Sequence, residues 1–292
     1  MSPEVSVIIP TWNRAATIAA AITSALNQTH RPLEVLICDD GSTDNTREIV
    51  ESFNDERVRW LSGPHAGRPA VPRNRGIREA RGQWLAFLDS DDQWEPKKLS
   101  EQLDVTHRIG CHAACTNALR LVSGEGIRGN LLSWEQRRVT FANLMDCNQV
   151  ICSSAIIHRS LFELVDGFPE GPQLKALEDY ALWLRVTTQT DFAYLDEPLV
   201  IYRDDPASSL RKDDPDVLTQ REIVFNNFLE WANKQKRRDR SLGVYRTKVK
   251  KQRRSDLRQR RNDAKQTWRD SWRARRNDLM IVGGKVRRLL FK

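Results

Sequence analysis

The stretch Trp84-Leu85-Ala86-Phe87-Leu88-Asp89-Ser90-Asp91-Asp92 constrains the fold of this chain more than any other. Its apolar run has the length of a strand buried on both faces, as in a parallel sheet. The run ends in three acids within four positions. In an extended chain Asp89 and Asp91, two apart, project to the same side. Carboxylates converging at the end of a buried strand need a positive partner. A divalent cation with a phosphate answers that need, because Mg²⁺ is typically held by one or two carboxylates plus substrate oxygens. The competing reading is a helix start, with Asp91 or Asp92 capping a helix begun at Pro96-Lys97.

The surrounding pattern places this strand in a doubly wound α/β sheet. Val5-Ser6-Val7-Ile8-Ile9 reads as a buried strand broken by Pro10, and residues 33–38 as a second. Ile18, Ala21, Ile22, Ala25 and Leu26 recur at helical spacing between them. Thr43 or Asp44 is placed to cap the next helix, and residues 58–61 form a short third strand. A loop rich in Gly, Pro and Arg runs from 63 to 75 into a short helix ending near Ala80. Ligands in such sheets sit beyond the carboxyl ends of the strands. Residues 10–14, 39–42 and 89–92 all fall at those ends. Asp39 reads as a turn acid before Gly41.

Beyond a helix at 99–109 the pattern loosens. Residues 113–122 read as one or two strands and 150–157 as another, whereas 130–148 has no clear period. An amphipathic helix covers 174–186, with Glu178 and Asp179 near its start. A short apolar segment, 199–202, and a helix over 216–232 complete the globule.

Six stretches, in order, resemble glycosyltransferase family 2: Val-Ser-Val-Ile-Ile-Pro-Thr-Trp-Asn-Arg (5–14), Cys-Asp-Asp-Gly-Ser-Thr-Asp (38–44), Arg-Asn-Arg-Gly-Ile (73–77), Phe-Leu-Asp-Ser-Asp-Asp (87–92), Asp-Gly-Phe (166–168) and Glu-Asp-Tyr-Ala-Leu-Trp-Leu-Arg (178–185). The resemblance covers roughly residues 4–210. It implies a GT-A fold, a Rossmann-like doubly wound mixed sheet, and an inverting enzyme using a nucleotide-sugar donor, such as a UDP-sugar, with Mn²⁺ or Mg²⁺. It places Pro10, Thr11 and Arg14 near base and ribose, and Asp40 on a uracil-type base. Arg75, or Arg73 beside it, becomes the basic contact to the nucleotide. Asp89 and Asp91 match the DXD motif, with Asp91 the direct metal ligand. Asp179 matches the catalytic base and Glu178 supports it. Where relatives carry a His, in Tyr-Arg-x-His-Pro-x-Ser, this chain has Asp205, either a third metal ligand or a cap for the turn before Pro206. A glycan or lipid-linked acceptor is implied, in cell-surface polysaccharide synthesis. The contrasting reading is an inactive protein of the same fold that uses its tail on nucleic acid or a partner.

Charge divides the chain. From Lys234 onward 23 basic residues meet 5 acidic ones, a balance of +18 that leaves the first 233 residues at −10 within a total of +8. The expected organisation is a globule over 1–233, with a nucleotide-binding half to about 110 and an acceptor-binding half after it, then a basic helical tail over 234–292. Leu257, Ala264, Trp268, Trp272 and Leu279 form one stripe along that tail. Basic helices with such a stripe suit an anionic membrane surface; the other readings are a solvated helix packed on the acidic surface of the globule and a nucleic-acid partner. No run approaches the roughly 18 apolar residues of a membrane span. The start, Met1-Ser2-Pro3-Glu4, lacks the features of a signal peptide. The five scattered cysteines read as reduced thiols, and Cys111-His112-x-x-Cys115 has no zinc spacing. Together these point to a cytoplasmic protein, peripheral on the inner face of the cell membrane.

Overall fold

The computed structural model describes residues 4–122, 124–133, 136–204, 216–235, 239 and 241–290, with side chains as far as 267. It divides into two compact units, Met1–Leu242 and Gly243–Lys292.

In the first unit β1 (Val5–Thr11), α1 (Ile18–Leu26), β2 (Glu34–Asp39), α2 (Thr46–Glu51), β3 (Val58–Leu61), α3 (Ala70–Glu79) and β4 (Trp84–Phe87) alternate as the hydrophobic periods predict. Next come β5 (Gln93–Trp94), α4 (Lys98–Ile109), β6 (Ala113–Val122), β7 (Gly126–Asn130), β8 (Arg138–Val139) and α5 (Phe141–Leu144). A 3₁₀ turn (Cys152–Ser154) leads into β9 (Ile156–His158), followed by α6 (Ser160–Val165), a second 3₁₀ turn (Pro172–Leu174), α7 (Glu178–Val186), β10 (Phe192–Asp204) and α8 (Val217–Gln235).

The sheet runs β3-β2-β1-β4-β9-β6-β10-β5, with β7 on β6 and β8 on β10. Strands β3, β2, β1 and β4 are mutually parallel, β6 and β10 are parallel, and β9 is antiparallel to both β4 and β6. This is the mixed α/β architecture expected of the chain. Alternate residues face opposite sides of the sheet. Val5, Val7, Ile9, Val35, Ile37 and Ala86 pack in one core with Ile18, Ile22 and Leu99. On the other face α3 approaches so closely that a Cβ on Gly76 would lie 2.6 Å from Cys38 Sγ. Phe87, Phe168, Trp183 and Phe192 are joined on that side by edge and tilted ring contacts at 5.2–6.3 Å.

Four expectations are corrected. Pro10 does not end β1, which continues to Thr11 paired with Asp39. Ile8 accepts from Leu88 N on the β4 side, and β4 pairs no further than Phe87, so Pro10 faces a side where its missing N–H is not needed. The segment 150–157 is a 3₁₀ turn and a three-residue strand. The apolar 199–202 is one part of the 13-residue β10. Helix α7 buries all nine of its residues instead of exposing a polar face.

Candidate active site

Asp89, Ser90, Asp91 and Asp92 form a turn between β4 and β5, closed by Asp92 N–H on the Asp89 carbonyl at 3.0 Å. The chain is therefore not extended there. Asp91 and Asp92 cap no helix, since α4 starts after Lys97 without a side-chain cap. A cavity of about 290 Å³ opens above this turn. Pro10, Thr11, Arg14, Asp40, Asp89, Asp91 and Asp179 all line it. The termini of β1, β2 and β4 and the start of α7 thus converge, as strand ends in such sheets do.

Burial, and then the neighbouring Asp89, push the Asp91 carboxyl up, although Arg14 Nη2 lies 3.6 Å from it. Asp92, also buried and crowded by Asp89 and Asp91, is pushed well up. The turn thus concentrates acid groups that a cation would relieve. Arg73 bridges the site, donating to Asp89 Oδ1 at 2.6 Å and to Glu178 Oε1 at 2.7 Å. Burial works against the charge of Arg73, but these acids hold its pKa above the ordinary value. Asp179 receives Asn148 Nδ2 at 3.4 Å and the Tyr180 amide at 2.6 Å. Ala176, just before α7 and on the cavity wall, holds a left-handed φ of 63°, a conformation that costs a residue with a Cβ.

Arg73, not Arg75, lines the cavity. Arg75 turns under β2 and donates to the carbonyls of Asp39 and Leu61 at 2.6 and 3.0 Å. Asp39 accepts from the Gly41 and Ser42 amides, as a turn acid does. Both oxygens of Asp40 are engaged by the Ala66 and Gly67 amides, at 2.9 and 2.8 Å. Asp205 lies outside the described residues. Several lining residues lie outside the six stretches, namely His65, Arg68, Cys152 and Lys175, and Trp12 lies within the first of them without an assigned role. Trp12 and His65 stack at 4.6 Å, and His65 Nδ1 meets the Asp40 carbonyl at 2.9 Å. Burial raises the Cys152 thiol well above its ordinary range.

Among the described residues no three His, Cys, Asp or Glu side chains form a cluster able to hold a metal alone. The pair Asp89 and Asp91 nonetheless fits a hard divalent cation that takes its other ligands from phosphate and water. Thr11 Oγ1, Arg73 Nε and Glu178 Oε2 are buried without hydrogen-bond partners, which leaves polar atoms for a polar ligand.

The model of the family described as glycosyl transferase family 2 matches residues 6–163. Over 182 residues the chain is 34% identical to the Escherichia coli UDP-Glc:alpha-D-GlcNAc-diphosphoundecaprenol beta-1,3-glucosyltransferase WfgD, covering 62% of this chain and 69% of that protein. It is 31% identical over 204 residues to the putative teichuronic acid biosynthesis glycosyltransferase TuaG of Bacillus subtilis (strain 168), covering 69% and 79% respectively. The fold is similar to S. aureus TarS 1-349 in complex with UDP-GlcNAc, with a TM-score of 0.60 at 21% identity over 82% of this chain and 74% of that one. The ordered stretches, the parallel half-sheet ending in the acidic turn, and these matches agree: the chain is a glycosyltransferase and belongs to glycosyl transferase family 2.

Proposed function

We propose that this enzyme transfers a sugar from a UDP-linked donor to a hydroxyl of a lipid-linked glycan, with inversion, in the assembly of a cell-surface polysaccharide. The observation that carries the reading is that Asp89, Asp91 and Asp179 face one cavity from two distant parts of the chain. Asp89 and Asp91 would hold Mn²⁺ or Mg²⁺ against the donor diphosphate. When bound, such a cation neutralises the charge that the departing nucleoside diphosphate gains. Asp179 takes the proton from the acceptor hydroxyl as its oxygen attacks the anomeric carbon. A single displacement from the face opposite the leaving group inverts that carbon. Arg73 keeps acid and base sides in register through Asp89 and Glu178. The donor and acceptor classes follow those named for the relatives, WfgD above all.

The second unit is the part of the enzyme that we place on an anionic membrane surface. Residues 243–292 hold 18 Lys and Arg against 4 Asp and Glu. Its helix α9 (Leu242–Leu290) leaves Leu257 39% exposed. Among the described residues no helix is long and apolar enough to cross a membrane. Electrostatic attraction of about 1 kcal/mol per basic residue near anionic lipid would hold this unit there, in keeping with a lipid-linked acceptor.

The test is product formation from UDP-glucose and a synthetic α-GlcNAc-diphospholipid. Transfer with Mn²⁺ that is lost in EDTA is expected. Failure of every UDP-sugar in a panel to react would overturn the donor assignment.

A further inference from the structure

The acidic turn is held from behind by a residue that does not line the cavity. Ser153, fully buried in the 3₁₀ turn before β9, accepts the Asp89 amide on Oγ at 3.0 Å. The same hydroxyl donates to Asp92 Oδ2 at 2.5 Å. One side chain thus binds the first and the last residue of a four-residue turn. The other oxygen of Asp92 accepts the Arg203 amide at 2.9 Å. Both oxygens of Asp92 are therefore engaged within the protein, whereas the carboxylates of Asp89, whose Oδ1 also accepts from Arg73, and Asp91 belong to residues that line the cavity.

Ser153 is itself braced. Its carbonyl accepts Trp94 Nε1 at 2.7 Å, and the carbonyl of Ser154 accepts Gln102 Nε2 at 2.8 Å. Gln102 Oε1 in turn accepts Lys98 Nζ at 2.7 Å, with Nζ 4.0 Å from the centre of the Trp94 ring. Lys98 and Gln102 are both fully buried. Buried polar groups in such a network hold one geometry, since any displacement strands a donor or acceptor away from water.

We infer that Ser153, acting with Asp92, is a positioning residue that sets the backbone of the acidic turn and hence the separation and aim of the Asp89 and Asp91 carboxylates. The inference rests on the reading that those two acids take a metal-bound diphosphate. A site for a hard cation tolerates displacements of only about 0.5 Å, and loss of partners that orient ligands costs about 10–100-fold in metal affinity.

Calorimetry with UDP, in Mn²⁺ and in EDTA, separates this role from simple structural support. The variants are Ser153→Ala and the volume-conserving Ser153→Cys, the second covering the case in which the first fails to fold. Thermal melting on the full chain verifies that each is folded. Each folded variant is expected to lose about 10–100-fold of the Mn²⁺-supported affinity for UDP while the affinity in EDTA stays unchanged. An equal fall in both conditions, or wild-type affinity in both, overturns the positioning role of Ser153. Wild-type protein whose UDP affinity ignores Mn²⁺ overturns instead the metal reading of the site.

Discussion

At the scale of single residues, Asp91 and Asp179 divide the work of the proposed reaction, and their isosteric amides should fail in different ways. Asp179 stands at the second position of α7, where the helix N-terminus favours a negative charge. Asp179→Asn should keep metal-dependent UDP affinity and lose about 10²–10⁴-fold in kcat, the usual worth of a positioned base. Asp91→Asn should lose that affinity first. Calorimetry paired with single-turnover transfer reads both; a fall in donor affinity with intact turnover of bound donor would make Asp179 structural. The stretch Arg73-Asn74-Arg75 shows where residue-level reading stops. Two residues apart on a helix point in nearly opposite directions, so adjacency to the motif cannot say which arginine meets the ligand. The sheet separates the two: Arg75 reaches the Asp39 carbonyl at the end of β2, and Arg73 bridges Asp89 and Glu178.

At the scale of elements, the first strands are joined at their amino ends by one buried acid. Glu34 opens β2 and accepts from Ser6 Oγ at 2.7 Å, the Arg81 amide at 2.6 Å and Arg59 Nη1 at 2.6 Å, tying β1, β3 and the entry to β4 together. Burial alone would raise its carboxyl, but these hydrogen bonds hold it below the ordinary glutamate value of 4.5. A depressed folded pKa contributes stability that is fully present above the unfolded value and is lost as pH falls through the folded one. Urea unfolding should therefore show wild type losing stability below about pH 4.5. Glu34→Ala should cost about 1–3 kcal/mol at neutral pH, the penalty for stranding buried donors such as Ser6 Oγ, and the gap should narrow in acid. A constant gap across that range would refute the carboxylate's part in it. Helix α7 carries the opposite lesson. Its polar residues suggested an exposed face, yet Tyr180 Oη donates to the Leu144 carbonyl at 2.5 Å and Arg185 to the Val165 carbonyl at 3.0 Å. Burial pushes Arg185 down to about 10. Polarity marks exposure only where no internal partner exists, and partners on other elements are invisible to a helical period.

At the scale of the whole molecule, the two units call for separate experiments. Truncation after Leu242 removes the second unit as the structure divides it. The full chain should float with phosphatidylglycerol vesicles and the truncated chain should not, while UDP affinity survives truncation. Binding should weaken only in part with salt, because apolar insertion adds to charge that a Debye length of about 8 Å at physiological salt screens. Binding that falls steeply and continuously with salt, or vesicles stripped of protein by duplex DNA, would assign the unit to nucleic acid instead.

The strands β1 to β4, the acids at their ends and the basic run after residue 234 are all legible in the order of residues. Each is a local property: a run of apolar side chains reports burial, its period reports the face, and clustered charge needs no fold to be counted. What only the tertiary structure decided is which distant pieces meet. Ser153 binds the amide of Asp89 from 64 positions away, and Arg73 reaches Glu178 across 105. Contacts of that separation are selected by the free energy of the assembled sheet, in which β9 enters antiparallel between β4 and β6. No stretch of the chain short enough to be read by pattern contains both partners.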